Sequence, residues 1–219
     1  MAIIIIGGHS RNVGKTSVVA GLITALPERR WTSMKITQFG HGICSEHGAP
    51  CDCSLIDTEH SYALEEENDH SGKTDTSRFL MAGAVKSYWL RTQQGKLAAA
   101  LPVIRELFAD EDNTTTDWII ESNSLMQFIR PDLYITVLDP NNEDFKSSAL
   151  RFLDRADSIV MHGTGNGITH PPVWKGISLK LIENKPIFAI TPPGYVSQEL
   201  VDFVRMRLGT LQTVGRIAS

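Results

Sequence analysis

Near the N-terminus, an apolar run leads into a glycine-containing loop that ends in Gly-Lys-Thr. The run, residues 2–6, contains four consecutive isoleucines, which is typical of a strand buried on both faces. After the loop, residues 7–16, apolar side chains recur at helical spacing. They are Val18, Val19, Leu22, Ile23 and Leu26. A strand, a loop and a helix in this order predict a phosphate-binding loop.

Each residue type in this loop has a chemical role. Backbone N–H groups freed by the turn point at phosphate oxygens, and the start of the helix adds partial positive charge. Lys15 neutralises phosphate charge, and the Thr16 hydroxyl is a ligand for Mg²⁺. We therefore expect a nucleoside triphosphate to contact the loop and the first residues of the helix. The predicted contacts are Gly8, Ser10, Asn12, Val13, Gly14, Lys15, Thr16 and Ser17.

The spacing of the loop leaves two alternatives. The common form has four residues between its first glycine and Gly-Lys-Thr, whereas five residues separate Gly8 from Gly14. Either the loop is one residue longer, or His9 occupies the usual glycine position.

Composition limits the class of protein. No linker rich in proline, glycine or serine divides the 219 residues, so we expect one domain over 1–219. A net charge of −4 with no long basic run gives no reason to expect a nucleic-acid partner. The sequence has no basic leader and no long apolar run, so we expect a cytoplasmic protein without a membrane partner.

The pattern of elements predicts an α/β fold. Strands alternate with helices, which indicates three layers, with a mainly parallel sheet flanked by helices. Besides the first strand, strands are expected at 31–37, 85–90, 117–121, 133–138, 158–161 and 186–190. Besides the first helix, helices are expected at 75–82, with Asp75 or Thr76 as N-cap, and at 97–108, 147–156 and 197–208.

An irregular insertion is predicted at about residues 39–72, where no periodicity is sustained. Such a segment in a compact domain is usually functional or partly disordered. It holds four potential zinc ligands within ten residues. These are Cys44, His47, Cys51 and Cys53. Their spacing matches no standard zinc finger or ribbon, so reduced cysteines in a polar loop are the alternative.

Three further positions are candidate site residues. Glu121 follows a buried strand, where a carboxylate can hold Mg²⁺ together with Thr16; the alternative is a solvated loop residue. Lys35 near the end of the second strand is expected to face the substrate or the γ-phosphate, or to be a solvated strand end. Pro192, after the last strand, is expected to shape a loop that lines the base. Lys15, Glu121 and Lys35 form the predicted catalytic set.

Several of these motifs resemble known families. The loop, Lys35, Glu121 and Ile190-Thr191-Pro192 look like dethiobiotin synthetase, a dimerising branch of the P-loop NTPases. The segment Asp75-Thr76-Ser77-Arg78, continued by Ala82-Gly83-Ala84, resembles molybdopterin-guanine dinucleotide biosynthesis protein B more closely. Ser122-Asn123-Ser124 stands where both families have glycines after the strand-end glutamate.

The resemblance implies a homodimeric, Mg²⁺-dependent nucleotide-binding protein in which Arg78 belongs to the nucleotide site. It favours an accessory GTPase that acts on a molybdenum-cofactor biosynthesis enzyme. Two alternatives stay open: an ATP-dependent synthetase or small-molecule kinase, and a metal-binding module switched by nucleotide. The choice between GTP and ATP is also open, since Asn184-Lys185-Pro186-Ile187 lacks the aspartate of the guanine-reading motif.

Overall fold

The computed structural model describes residues 1–39, 61–110, 116–163 and 172–217, with side chains up to residue 209. The described strands form one eight-stranded sheet. They are β1 (Ile3–Gly8), β2 (Trp31–Phe39), β3 (Tyr62–Glu66), β4 (Lys86–Gln93), β5 (Asp117–Glu121), β6 (Leu133–Leu138), β7 (Ser158–His162) and β8 (Ile187–Ile190).

The strand order is β3-β4-β2-β5-β1-β6-β7-β8. Each neighbouring pair is parallel except β3 and β4, which pair antiparallel at one edge. The chain runs from β1 to strands on one side and, after β5, crosses to β6 on the other side. Because ligands of such sheets bind at the carboxyl ends of the strands where the order reverses, the loop after β1 occupies the expected ligand position.

Helices cover both faces of the sheet. They are α1 (Lys15–Ala25), α2 (Asp75–Met81), α3 (Leu101–Ala109) and α4 (Gln198–Ile217). One core cluster joins α1, α2 and α4 to the sheet, and a second joins α3 and several single turns to the opposite face. Ile4 and Ile5, neighbours in β1, belong to different clusters, because successive strand residues point to opposite faces. The predicted three-layer α/β fold is confirmed.

The predicted insertion and one predicted helix need correction. The predicted insertion contains a strand, β3, which adds an antiparallel edge to the parallel sheet. The predicted helix at 147–156 is a four-residue helical turn, Ser147–Leu150, and a separate 3₁₀ turn, Leu153–Arg155. Phe152 interrupts the helix with φ −119° and is buried with Leu153 in the second core cluster, so tertiary packing overrides the local helical pattern.

The N-cap of α2 is Thr74, not Asp75 or Thr76 as predicted. Its backbone is extended, and its side chain accepts a hydrogen bond from the Ser77 amide. The predicted Asp75 and Thr76 lie inside the first turn. Among the described helices, none combines the length and the apolar character needed to cross a membrane.

Candidate functional site

The turn after β1 begins at His9. β1 ends at Gly8, and the His9 amide continues the strand pairing by donating to the Val137 carbonyl at 3.2 Å. If the loop is counted from His9, four residues, Ser10 to Val13, separate it from Gly14-Lys15-Thr16, which is the spacing of the common form. This geometry favours the alternative in which His9 occupies the usual glycine position.

Two residues of the loop have left-handed backbone conformations, Asn12 with φ 57° and Gly14 with φ 94°. Gly14 is the N-cap of α1, and a Cβ atom built on it would lie 2.6 Å from Cε1 of Tyr195. A side chain at position 14 would thus be strained and would collide with an aromatic ring. The sharp turn into α1 depends on this glycine.

Two side chains from neighbouring strand ends hold the loop in place. Asn123, after β5, accepts from the Gly8 amide at 2.9 Å and donates to the Gly8 carbonyl at 2.8 Å. His162, the last residue of β7, contacts the Val13 carbonyl through Nε2 at 2.8 Å. Neither residue belongs to the predicted site. The only sequence signal was that each is a polar residue at a strand end.

Lys15 is folded back over the loop. Its ammonium donates to the Ser10 carbonyl at 2.8 Å, and Gly8 leaves room for the side chain, since a Cβ there would lie 2.9 Å from Cγ and Cδ of Lys15. Burial lowers the pKa of Lys15 to about 8, a shift that Lys146 and Lys35 reinforce and Glu121 opposes. The loop therefore holds a partly desolvated cation that an anion would stabilise.

Thr16, Glu121 and Lys35 meet beside the loop lysine. The Thr16 hydroxyl donates to Oε2 of Glu121 at 2.7 Å. Glu121 is 6% exposed, and its Oε1 lies 3.4 Å from Nζ of Lys35. Lys35 lies within β2 rather than at its end, and it is the register partner of Glu121. The structure brings these predicted residues together.

Asp75, the first residue of α2, completes this group and was not predicted as a site residue. Its carboxylate forms an ion pair with the same Lys35 ammonium. The Asp75 and Glu121 carboxylates and the Thr16 hydroxyl are hard oxygen ligands, which suit Mg²⁺. Because an ammonium already bridges the two carboxylates, the position accommodates positive charge, and the residues fit the expected ion.

Arg78 connects α2 to the start of α1. Its Nη2 donates to the Ser17 hydroxyl at 3.0 Å, and its Nη1 lies 3.7 Å from Asp75. The two predicted contacts Arg78 and Ser17 are thus direct neighbours beside Thr16.

Pro192 lies in a turn in which the Gly194 amide donates to the Thr191 carbonyl at 2.9 Å. Tyr195, just after this turn, is the residue that lies against Gly14. A contact between Pro192 and a base stays a prediction. The proposed zinc ligands Cys44, His47, Cys51 and Cys53 lie outside the described residues, and zinc binding also stays a prediction.

Comparisons with known proteins returned structural neighbours only. A scan against family models and a search of curated proteins each found no match. The nickel complex of HypB from Helicobacter pylori has a TM-score of 0.47 and 12% identity, over 97% of this chain and 88% of that one.

Two further structures align over a smaller share of their own length. The ATP complex of LpxK from Aquifex aeolicus has a TM-score of 0.45 and 16% identity, over 86% of this chain and 53% of that one. A zinc-bound triple mutant of the YjiA GTPase has a TM-score of 0.43 and 15% identity, over 91% of this chain and 60% of that one. Since these scores and identities are low, the fold assignment rests on the sheet and loop of this chain.

Proposed function

We propose that this protein binds a nucleoside triphosphate with Mg²⁺ at the loop after β1 and hydrolyses it or transfers its γ-phosphoryl group. One observation carries the proposal: Thr16, Glu121, Lys35 and Asp75 form a continuous network. It lies beside a loop whose buried lysine has a lowered pKa. A loop that only joined a strand to a helix would not require this set of charges.

The positively charged side chains and the oxygen ligands of the site have different roles. Lys15 exchanges the Ser10 carbonyl, its acceptor at 2.8 Å, for phosphate oxygens, which compensate its burial better. Thr16, Glu121 and Asp75 would hold the ion, which would draw charge from the phosphate oxygens. Lys35 would face the transferring phosphoryl group. The amides of the loop and of the first turn of α1 bind the remaining oxygens.

For the biological role, we propose an accessory GTPase of molybdenum-cofactor biosynthesis that acts as a homodimer with a biosynthetic enzyme as partner. The support is the resemblance of the segment from Asp75 to Ala84. Asp75 and Arg78 lie beside the loop, which supports a role for this segment in nucleotide binding. The alternative, an ATP-dependent synthetase or small-molecule kinase, is supported by the pairing of Lys35 with Glu121, since that pair also resembles dethiobiotin synthetase.

A competition assay among the four common triphosphates tests this proposal, with and without diaminopelargonic acid and bicarbonate. We expect preference for GTP and no stimulation by the added substrates. Strong ATP preference with substrate-dependent ADP release would replace the GTPase role by the synthetase role.

Glu121→Gln should keep nucleotide binding but lower turnover by about 10- to 100-fold, because a group that acts in the transition state is removed. A variant with the turnover of the unmodified protein would show that Glu121 does not take part in catalysis.

A further inference from the structure

The segment that follows β6, residues 139–146, is attached to His9 and Ser10 of the phosphate loop. The Lys146 amide donates to the His9 carbonyl at 2.8 Å. Nε2 of His9 lies 3.3 Å from the Asn142 carbonyl, and the Asn142 amide group donates to the Ser10 hydroxyl at 3.0 Å. We call this segment the β6 loop. Through Ser10, it contacts the residue whose carbonyl also holds Lys15.

Aromatic packing fixes the same contact. The His9 ring is fully buried, with its centroid 5.2 Å from that of Phe145 and 5.8 Å from that of Trp174. Trp174 in turn donates from its indole nitrogen to the Asp139 carbonyl at 2.9 Å. Burial lowers the pKa of His9, which disfavours the charged form of the ring beside Lys15. The backbone of Lys146 is therefore held in a defined position beside the loop.

Lys146 and Lys15 repel each other electrostatically. Lys146 is one of the groups that lower the pKa of Lys15. Burial and Arg11 lower the pKa of Lys146, whereas Asp144 and Glu121 raise it. Within the described ranges, no carboxylate forms an ion pair with its ammonium. Lys146 is therefore a half-buried cation near Lys15 and Arg11 that makes no ion pair among the described residues.

The segment that carries Lys146 approaches the loop from the opposite side of β1 to Glu121 and Lys35. Glu121 and Lys35 come from β5 and β2, on one side of β1, whereas Lys146 comes from the β6 side. We propose that Lys146 is a phosphate-binding residue of the nucleotide site and contacts the β- or γ-phosphate from the β6 side. This inference rests on the proposed nucleotide binding. It explains why the segment that carries Lys146 is held to the loop by backbone and side-chain hydrogen bonds.

Calorimetric titration of Mg·GTP, Mg·ATP and the two monophosphates tests the inference. In Lys146→Met, triphosphate affinity should fall by about 10-fold or more, because a charge-assisted contact is lost. Monophosphate affinity should change by less than about threefold, because the contact lies beyond the α-phosphate. Lys146→Arg should recover most of the triphosphate affinity, since it keeps the charge. The matched control is Lys175→Met, which removes a lysine that is 85% exposed and paired with Glu143 in the same β6 loop.

The outcomes separate this inference from the proposal on which it depends. Absence of triphosphate binding in the unmodified protein would overturn nucleotide binding itself. Normal binding in the unmodified protein with equal affinity in Lys146→Met would overturn only the role of Lys146. An equal loss for mono- and triphosphates would also overturn it, because that result indicates a disturbed loop rather than a lost phosphate contact.

Discussion

The pKa of Lys15 depends on residues that are distant from it in the sequence. Its position after Gly14 predicted a phosphate-binding lysine, but its depressed pKa depends on contacts that no local pattern contains. Burial is the main cause, and the ammonium groups of Lys146 and Lys35 add to it. These two lysines are remote from Lys15 in sequence and reach it only through the order of the strands.

Lys15 should make the stability of the nucleotide-free protein depend on alkaline pH. Its pKa is about 8 in the folded protein, against 10.5 for an ordinary lysine. Between these values the unfolded chain binds more protons than the folded one, so the free energy of unfolding should rise with pH. The contribution is at most about 1.4 kcal/mol per pH unit.

Urea unfolding at about pH 8 and about pH 10 measures this effect, with Lys15→Met as the comparison that removes it. We expect the unmodified protein to gain more stability over this interval than the variant. If both proteins show the same pH dependence, Lys15 is not the partly desolvated cation described above.

At the scale of elements, α2 is the clearest case of a predicted feature with an unpredicted role. The sequence indicated a short helix that starts near Asp75. It did not indicate that Asp75 pairs with Lys35, forty positions earlier, or that Arg78 reaches Ser17. Both contacts depend on how α2 packs beside α1, which local propensity does not determine. The position of α2 is therefore part of the site.

The start of α2 depends on Thr74. Its side chain accepts from the Ser77 amide at 3.0 Å and donates to Oε2 of Glu67 at 2.7 Å. Thr74→Ala should lower the free energy of unfolding by about 1 kcal/mol, because an N-cap is lost. Thr74→Ser should cost much less, since it keeps the hydroxyl. Thermal or urea unfolding measures the stability of both variants. If Thr74→Ala and Thr74→Ser are equally stable, the hydroxyl of the N-cap contributes nothing.

At the scale of the whole molecule, periodicity and turn residues sufficed for the three-layer fold and for most strands. β5 and β6 have the predicted bounds, because their apolar runs are short and end at polar residues. Strand order could not be read from the sequence, since it depends on contacts between distant segments. For the same reason, the sequence did not predict the contacts of Asn123 and His162 with the loop. These residues hold the loop only because β5 and β7 end near it.

The predicted homodimer, the zinc site and the molybdenum-cofactor role stay predictions, since none of them follows from the described contacts. The described contacts support a narrower proposal. We propose that the loop after β1 binds the phosphates of a nucleotide, because the loop, Lys15 and the Thr16–Glu121 pair form one site.

Isothermal titration calorimetry of the protein with Mg·GTP and with Mg·ATP tests this proposal. The unmodified protein should bind at least one triphosphate with about one site per chain, and Lys15→Ala should bind it at least about 10-fold more weakly, because the charge on the phosphates is no longer neutralised. Circular dichroism checks that the variant is folded. A folded Lys15→Ala protein with unchanged affinity, or an unmodified protein that binds neither nucleotide, would contradict the account.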